Sequence, residues 1–379
     1  MTTDERGPVS IESAMVVIPC TEPLSASIDQ FTSLGFSVRT IIPADHPRRA
    51  VLTGHGLTLS LEVDDAAAST SSVTLRLISD IGQPVELIGP NGAVVEIVPT
   101  PDRYAVPPLR EEFVLSRLEG DTTTGEGFGE GRAGMGYRDL IPGRLGGRFI
   151  ASHILIPHGG PVPDYVHFHH VRFQMIYCYR GWVKVLYEDQ GDVITMHEGD
   201  CVLQPPTIRH RVLEASDAMQ VIEIGCPAEH ETCGDPETTL PTGATLPDRG
   251  YGPDGHRFVF HVAADAEWHP WRVPGFECRD TGIGVATDGL AGVRVARVSA
   301  PTEVPVGLVR HSGEFMFVMV LDGSITLHRG ADEIRLDAGD SVTLPSGEAF
   351  GWSAPSDDAQ LLEVTLPATM PFAGAGAIA

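Results

Sequence analysis

Short apolar runs broken by glycine and proline recur along the chain, the pattern of a β-rich protein. The first region spans about Ser13 to Val98. Ala14–Ile18 reads as a short apolar strand, and Thr21-Glu22-Pro23 can start a helix after it. Leu24, Ile28, Phe31 and Leu34 fall at i, i+4, i+7 and i+10, one helical face, and Gly35 stands where a C-terminal cap is expected. Extended segments follow at Phe36–Ile42, Arg49–Thr53, Leu57–Val63 and Val73–Ile78. The second and third of these are joined by the turn Thr53-Gly54-His55-Gly56, and a hairpin across Gly89-Pro90-Asn91-Gly92 completes the region.

Two further apolar-strand regions lie between stretches of different composition. Pro99 to about Met135 is rich in Pro, Thr and Gly, and Ala228–Gly255 in Gly, Pro, Thr and acid; both read as linkers. Ala373–Ala379 is small residues apart from one Ile and is expected to fray. The expected organisation is a strand–helix–three-strand module over 12–100, a linker over 101–135 and a β domain over 136–227. A second linker over 228–255, a second β domain over 256–368 and a flexible tail over 369–379 follow.

Composition narrows the partners. The chain has 379 residues, 42% hydrophobic and 20% charged, enough for more than one core. Lys and Arg number 26 against 51 Asp and Glu, a formal charge of −25 that repels phosphate backbones and anionic lipids. Neither nucleic acid nor membrane is therefore expected as a partner. No apolar run reaches the roughly 18 residues of a membrane span, and Met1–Ser10 lacks the features of a signal peptide. Cys20, Cys178, Cys201, Cys226, Cys233 and Cys278 form no C-x-x-C pair, so reduced thiols in a cytoplasm are expected.

The two β domains repeat each other. In the first, His167-x-His169 is followed by four residues, Gln174, six residues and Gly181; in the second, Val309-x-His311 is followed by four residues, Met316, six residues and Gly323. A second block reads Gly199, five residues, Pro205, four residues, His210; its counterpart reads Gly339, five residues, Pro345-x-Gly347, two residues, Phe350. Two residues apart on a strand, His167 and His169 point to one face, which Gln174 and His210 can join from other strands. Three imidazoles suit Fe, Zn, Cu, Ni or Mn and leave positions open for substrate or O₂. His170 points to the opposite face and is not expected to ligate with them. His153, His158 and His197 match no motif position and read as surface or loop residues.

These two blocks resemble the paired motifs of the cupin superfamily over roughly Phe149–Glu223, with a weaker copy over roughly Val293–Leu366. Both His of the first block, Gly181, Gly199, Pro205 and His210 fall at pattern spacing. The family's Glu is Gln174, the Gly of the second block is Thr207, and the initial Gly is displaced to Gly159 and Gly160. The resemblance implies a mainly β bicupin: two double-stranded β-helix barrels, one with a metal in its mouth, behind a small α+β module. The second copy keeps His311 alone, with Val309, Met316 and Phe350 at the other positions, and is expected to be metal-free. The 12–100 module resembles the βαβββ unit of vicinal oxygen chelate (glyoxalase and bleomycin-resistance) proteins, through Leu24–Leu34, Leu34-Gly35-Phe36 and Gly89–Glu96. Glu96 falls where that family often places a metal carboxylate, but the first strand lacks the partner His, and a scaffold or lid role is expected.

Gln174 is the informative departure, because a neutral side chain leaves a divalent ion its full charge and favours an anionic, chelating ligand. Arg172 lies close enough in sequence to hold a substrate carboxylate. The expected metal set is His167, His169, His210 and Gln174, with Gln174 either a direct ligand or hydrogen-bonded to a metal-bound water, and with Gln174 and Arg172 acting on the substrate. The resemblance implies one divalent metal per chain, Fe(II) first, with Zn, Mn or Ni as alternatives. The expected activity is a dioxygenase acting on a small anionic chelating substrate such as a hydroxy or keto acid or a phenolate. The alternatives are an O₂-independent metal-dependent isomerase, epimerase or lyase, and a non-catalytic ligand-binding bicupin. A homodimer is expected, since bicupins bury their sheet edges.

Overall fold

Strands dominate, and helices are few and short. The computed structural model describes residues 11–20, 22–64, 74–80, 82–88, 94–120, 127–300 and 307–376. Among them the helix Leu24–Ser33 has ten residues, whereas Arg144–Gly147 and Ile283–Ala286 are four-residue turns. No helix of the described residues is long and apolar enough to cross a membrane.

The chain divides into two compact units, one of Met1–Ala105, Tyr165–His170 and His230–Thr239, the other of Val106–Asp164, Val171–Glu229 and Leu240–Ala379. In the first, the expected strand–helix–three-strand order is present. Ile11–Cys20 pairs in parallel with Leu57–Val63, which pairs antiparallel with Arg49–Gly54, and that with Ser37–Ile42. On its other side Ile11–Cys20 pairs with Thr74–Ser79, which carries Val94–Pro99 and Val85–Ile88 outward. Leu24, Ile28 and Phe31 of the helix pack with Leu52 and Leu61, while Leu34 stays 57% exposed. Gly35 ends the helix at φ +90°, a conformation that glycine adopts without a Cβ penalty. The residues 89–93, where a hairpin is expected, lie outside the described residues.

The other unit holds two copies of one arrangement. A sheet in the first copy runs Gly129–Glu130, Gly136–Asp139, Ile150–Ile156, Met219–Cys226, Phe173–Arg180, Cys201–Leu203, Val259–His261. Its counterpart runs His269–Pro270, Phe276–Asp280, Gly292–Val298, Gln360–Leu366, Phe315–Asp322, Ser341–Thr343, Val114–Ser116. The last strand of each sheet comes from the segment leading into the other copy. Val259–His261 pairs with Cys201–Leu203, and Val114–Ser116 with Ser341–Thr343. An aspartate anchors each exchanged segment: Asp200 accepts from the Ala263 N–H at 2.8 Å, and Asp340 from the Leu118 N–H at 2.9 Å.

Strand alternation sorts the side chains of the central strands into separate cores. Phe173, Met175, Tyr177 and Tyr179 share a cluster with Phe315, Phe317, Met319 and Leu321, so the two copies pack through these faces. Phe149 stacks on Phe315 there, centroids 4.1 Å apart at 15°, an aromatic pair that adds about 0.5–1.5 kcal/mol to its burial. Ile176 and Cys178 face the first copy's own core with Val183, Met196 and Val202; Met316, Val318 and Val320 face the second's with Leu327 and Trp352.

Three expectations need correction. The 101–135 segment contributes Val114–Ser116 to a sheet, so it is not merely a linker. The 228–255 segment contains Thr232–Gly234, which pairs with both His167–His169 and Ser37–Ile42. The 369–379 tail forms the strand Phe372–Gly376 against Leu308–His311, because small residues fit close strand pairing as readily as they fray.

Candidate metal centre

His167 and His169 begin and end a three-residue strand, and both are buried. Its register against Thr232–Gly234 sets His169 opposite Thr232 and His167 opposite Gly234. The His167 Nδ1 lies 2.8 Å from the Tyr165 carbonyl, and the His169 Nδ1 lies 3.2 Å from the Glu231 carbonyl. His210 opens the strand His210–Ala215, with its Nδ1 3.0 Å from the Ile208 carbonyl. A carbonyl oxygen only accepts, so each Nδ1 donates its proton and each Nε2 keeps a lone pair for a metal. Burial holds His210 down at about 4, so its ring is neutral near neutrality, as a metal ligand must be.

One candidate ligand nitrogen from each of His167, His169 and His210 lies within 4.8 Å of the others. Thr207, at the motif's Gly position, takes φ +68°, and its counterpart Gly347 takes +78°. The turn keeps the left-handed backbone although a β-branched residue is strained there by roughly 1–3 kcal/mol. That strain sits three residues from His210, where the turn sets the direction of the strand carrying it.

Gln174 is 1% exposed, and its Nε2 donates to Glu223 Oε1 at 2.6 Å. That bond fixes the amide orientation and leaves Oε1 buried with no hydrogen-bond partner among the described residues. A buried acceptor without a donor is costly, and a cation or its bound water would satisfy it. Three imidazoles are a donor set that fits a divalent metal, and an amide oxygen such as that of Gln174 is a compatible further donor.

Arg172 is engaged elsewhere. Its Nη1 donates to Glu314 Oε1 at 2.7 Å, and the Arg148 Nε donates to the same oxygen at 2.8 Å. Burial alone would raise the Glu314 carboxyl, but these two guanidiniums hold it below its ordinary value. Glu96 pairs with Arg76 at 2.8 Å. In the second copy the His311 Nε2 donates to the Leu344 carbonyl at 2.7 Å while Nδ1 accepts from the Gly313 N–H at 3.3 Å, so backbone takes both nitrogens. Met316 and Phe350 are buried in that copy's apolar core. His158 and His197 are exposed as expected, but His153 is fully buried, 2.8 Å from Gln220 Oε1. It sits on an inward-facing position of an all-buried strand, which motif spacing alone does not show. Sequence reasoning also missed His230, whose ring stands edge-on to His169 at 5.2 Å.

Comparison with known proteins agrees with this architecture. The cupin domain family model matches residues 299–365, inside the copy where Val309, Met316 and Phe350 stand at three of the four expected ligand positions. A point mutant of salicylate 1,2-dioxygenase from Pseudoaminobacter salicylatoxidans, in complex with gentisate, superposes with a TM-score of 0.51 at 15% identity, covering 72% of this chain and 88% of that one. The chain has a cupin fold. Protein Ylba from E. coli aligns at 12% identity over 70% of this cupin-fold chain and 94% of that one, with a TM-score of 0.48. Oxalate decarboxylase from Bacillus subtilis aligns at 14% identity over 63% of this chain and 74% of that one, with a TM-score of 0.46. No curated protein matches in sequence.

Proposed function

We propose that this protein is a metal-dependent oxygenase of bicupin type, holding Fe(II) on His167, His169 and His210 and acting on a small anionic chelating substrate. A hydroxy acid, a keto acid or a phenolate has the required chemistry. The observation that carries the reading is the buried histidine triad with every Nδ1 held by a backbone carbonyl. Bound there, iron would supply Lewis acidity toward a chelating anion and redox chemistry toward O₂. The chain's own residues do the rest. Carbonyls fix the rings, burial keeps the His210 ring neutral, and Gln174 in place of a carboxylate would leave the ion's charge uncompensated, which favours an anionic ligand. The fold likeness to a dioxygenase solved with gentisate supports the choice of a small anion.

Metal content of protein purified without added metal, beside His210→Ala, tests this. About one iron per chain, lost in the variant with the fold intact, together with O₂ uptake on a chelating acid or phenol, is the expected result. Full turnover by His210→Ala would sink the assignment. The uncompensated charge at Gln174 also supports a second reading, an O₂-independent isomerase, epimerase or lyase using Zn, Mn or Ni as a Lewis acid. Undiminished turnover without O₂ selects it. A chain that takes up no metal after reconstitution is a ligand-binding bicupin instead. In the same proposal the second barrel is metal-free, the 12–100 module is a vicinal-oxygen-chelate-like scaffold or lid, Arg172 anchors substrate only by giving up Glu314, and the protein is a homodimer. All six cysteines are free thiols, which fits a reducing cytoplasm.

A further inference from the structure

We infer a second, separate metal site for zinc at His170, Glu231 and Cys233. Three atoms converge there: His170 Nδ1 lies 3.6 Å from Glu231 Oε2 and 3.6 Å from Cys233 Sγ, and Cys233 Sγ lies 3.8 Å from Glu231 Oε2. An imidazole–carboxylate hydrogen bond would close to about 2.7–2.9 Å, and 3.6 Å is too long for one. The two Cys233 contacts are in the range of weak sulfur hydrogen bonds, and all three distances are also those of co-ligands. Zinc bonds of about 2.0–2.3 Å to N, O and S at a tetrahedral angle set neighbouring ligand atoms about 3.4–3.6 Å apart. All three atoms therefore already stand near the corners of one tetrahedral face.

The donor set suits that ion. One thiolate, one carboxylate and one neutral imidazole balance a divalent charge, and the sulfur selects a borderline-soft metal over a hard one. Register explains why the three meet. Phe168 pairs with Cys233, so His170 and the side chains of Glu231 and Cys233 gather beside the strand that bears His167 and His169. His170 and Cys233 are buried, while the Glu231 side chain is 25% exposed, which leaves a side open for a water as fourth ligand. Phe168 and Tyr104 set their rings edge-on to His170 at 5.4 and 5.5 Å. Arg103 Nε stands 3.8 Å from the same Glu231 oxygen and competes with the metal for it.

Cobalt(II) is the probe, because a thiolate ligand gives it an intense near-ultraviolet charge-transfer band that three imidazoles cannot. Metal-stripped full-length protein should take up two equivalents of Co(II) and show the band, and Zn(II) should abolish it by displacement. Cys233→Ala should lose the band and one equivalent; His210→Ala should keep the band and lose the other. The two sites thus fail independently. A wild-type protein without the band, or a band that survives in Cys233→Ala, overturns the proposal. Should Cys233→Ala not fold, Glu231→Gln retains the thiol and should weaken the band-forming Co(II) affinity at least about tenfold. Unchanged affinity in Glu231→Gln overturns the site equally.

Discussion

Arg138 and Arg279 occupy matching strands of the two copies and donate to matching carbonyls, each in the other copy. The Arg138 Nη2 reaches the Gly339 carbonyl at 2.7 Å, and the Arg279 Nη2 reaches the Gly199 carbonyl at 2.8 Å. The pair is unequal. Arg138 leaves Nε and Nη1 buried without partners among the described residues, and burial lowers its affinity for the proton; Arg279 adds a bond to His261 Nε2 at 2.9 Å. A buried cation with few partners contributes little net stability. Arg279→Met is therefore expected to cost about 1–2 kcal/mol more than Arg138→Met, read from urea midpoints. Equal losses would show that the unpartnered nitrogens do not matter.

Glu314 holds Arg148 and Arg172 together through one carboxylate oxygen. Removing it leaves two half-buried guanidiniums facing each other. Glu314→Ala should destabilise the chain by about 2–4 kcal/mol, against less than about 1 kcal/mol for an exposed ion pair. Thermal unfolding of the two kinds of variant side by side reads the difference.

Gln174→Glu would set a second carboxyl 2.6 Å from the Glu223 oxygen that Gln174 now serves. Two carboxyls so close cannot both ionise without a cation, and one of them keeps its proton. The metal-free variant should lose stability as pH rises from 5 to 8, and a divalent metal should restore it. A variant whose stability is flat with pH and indifferent to metal would place Gln174 away from the ion.

Burial, reinforced by the charge of Arg138, holds His153 at about 3 against its ordinary 6.5. The folded state thus binds fewer protons than the unfolded chain below pH 6.5. The contribution of His153 is whole above that value and is lost as pH falls toward 3, by about 1.4 kcal/mol per unit. His153→Gln keeps the hydrogen-bonding reach but cannot titrate. Between pH 7.5 and 5 the wild type should lose about 2 kcal/mol more than the variant, by urea unfolding at each pH.

The barrels and the histidine triad were legible in the sequence because their signals are periodic. His167 and His169 share a face by alternation alone, and the spacing to Gly181, Pro205 and His210 recurs in the second copy. What escaped rests on partners far apart in the chain. Nothing local says that Arg172 meets Glu314, 142 residues on, that Gln174 meets Glu223, or that His170 meets Cys233. Composition misled at 228–255, where a Gly-, Pro- and acid-rich stretch conceals Thr232–Gly234, a strand paired on both sides.

The exchanged strands bear on how this molecule is made and kept. Val114 bonds to Thr343, and 229 residues separate them. At ribosomal speeds of roughly 5–20 residues per second, the early segment waits on the order of 10–50 s for its place in a sheet. The first barrel for its part lacks a strand until Val259–His261 has been made, so neither barrel is completed by its own residues alone. Gene truncation meets the same obstacle: deleting the second copy from residue 256 onward removes Val259–His261 from the copy that carries the histidine triad. Each half is thereby held in the chain by what its neighbour needs from it. The cupin domain family model matches residues 299–365 in the second of these supporting halves.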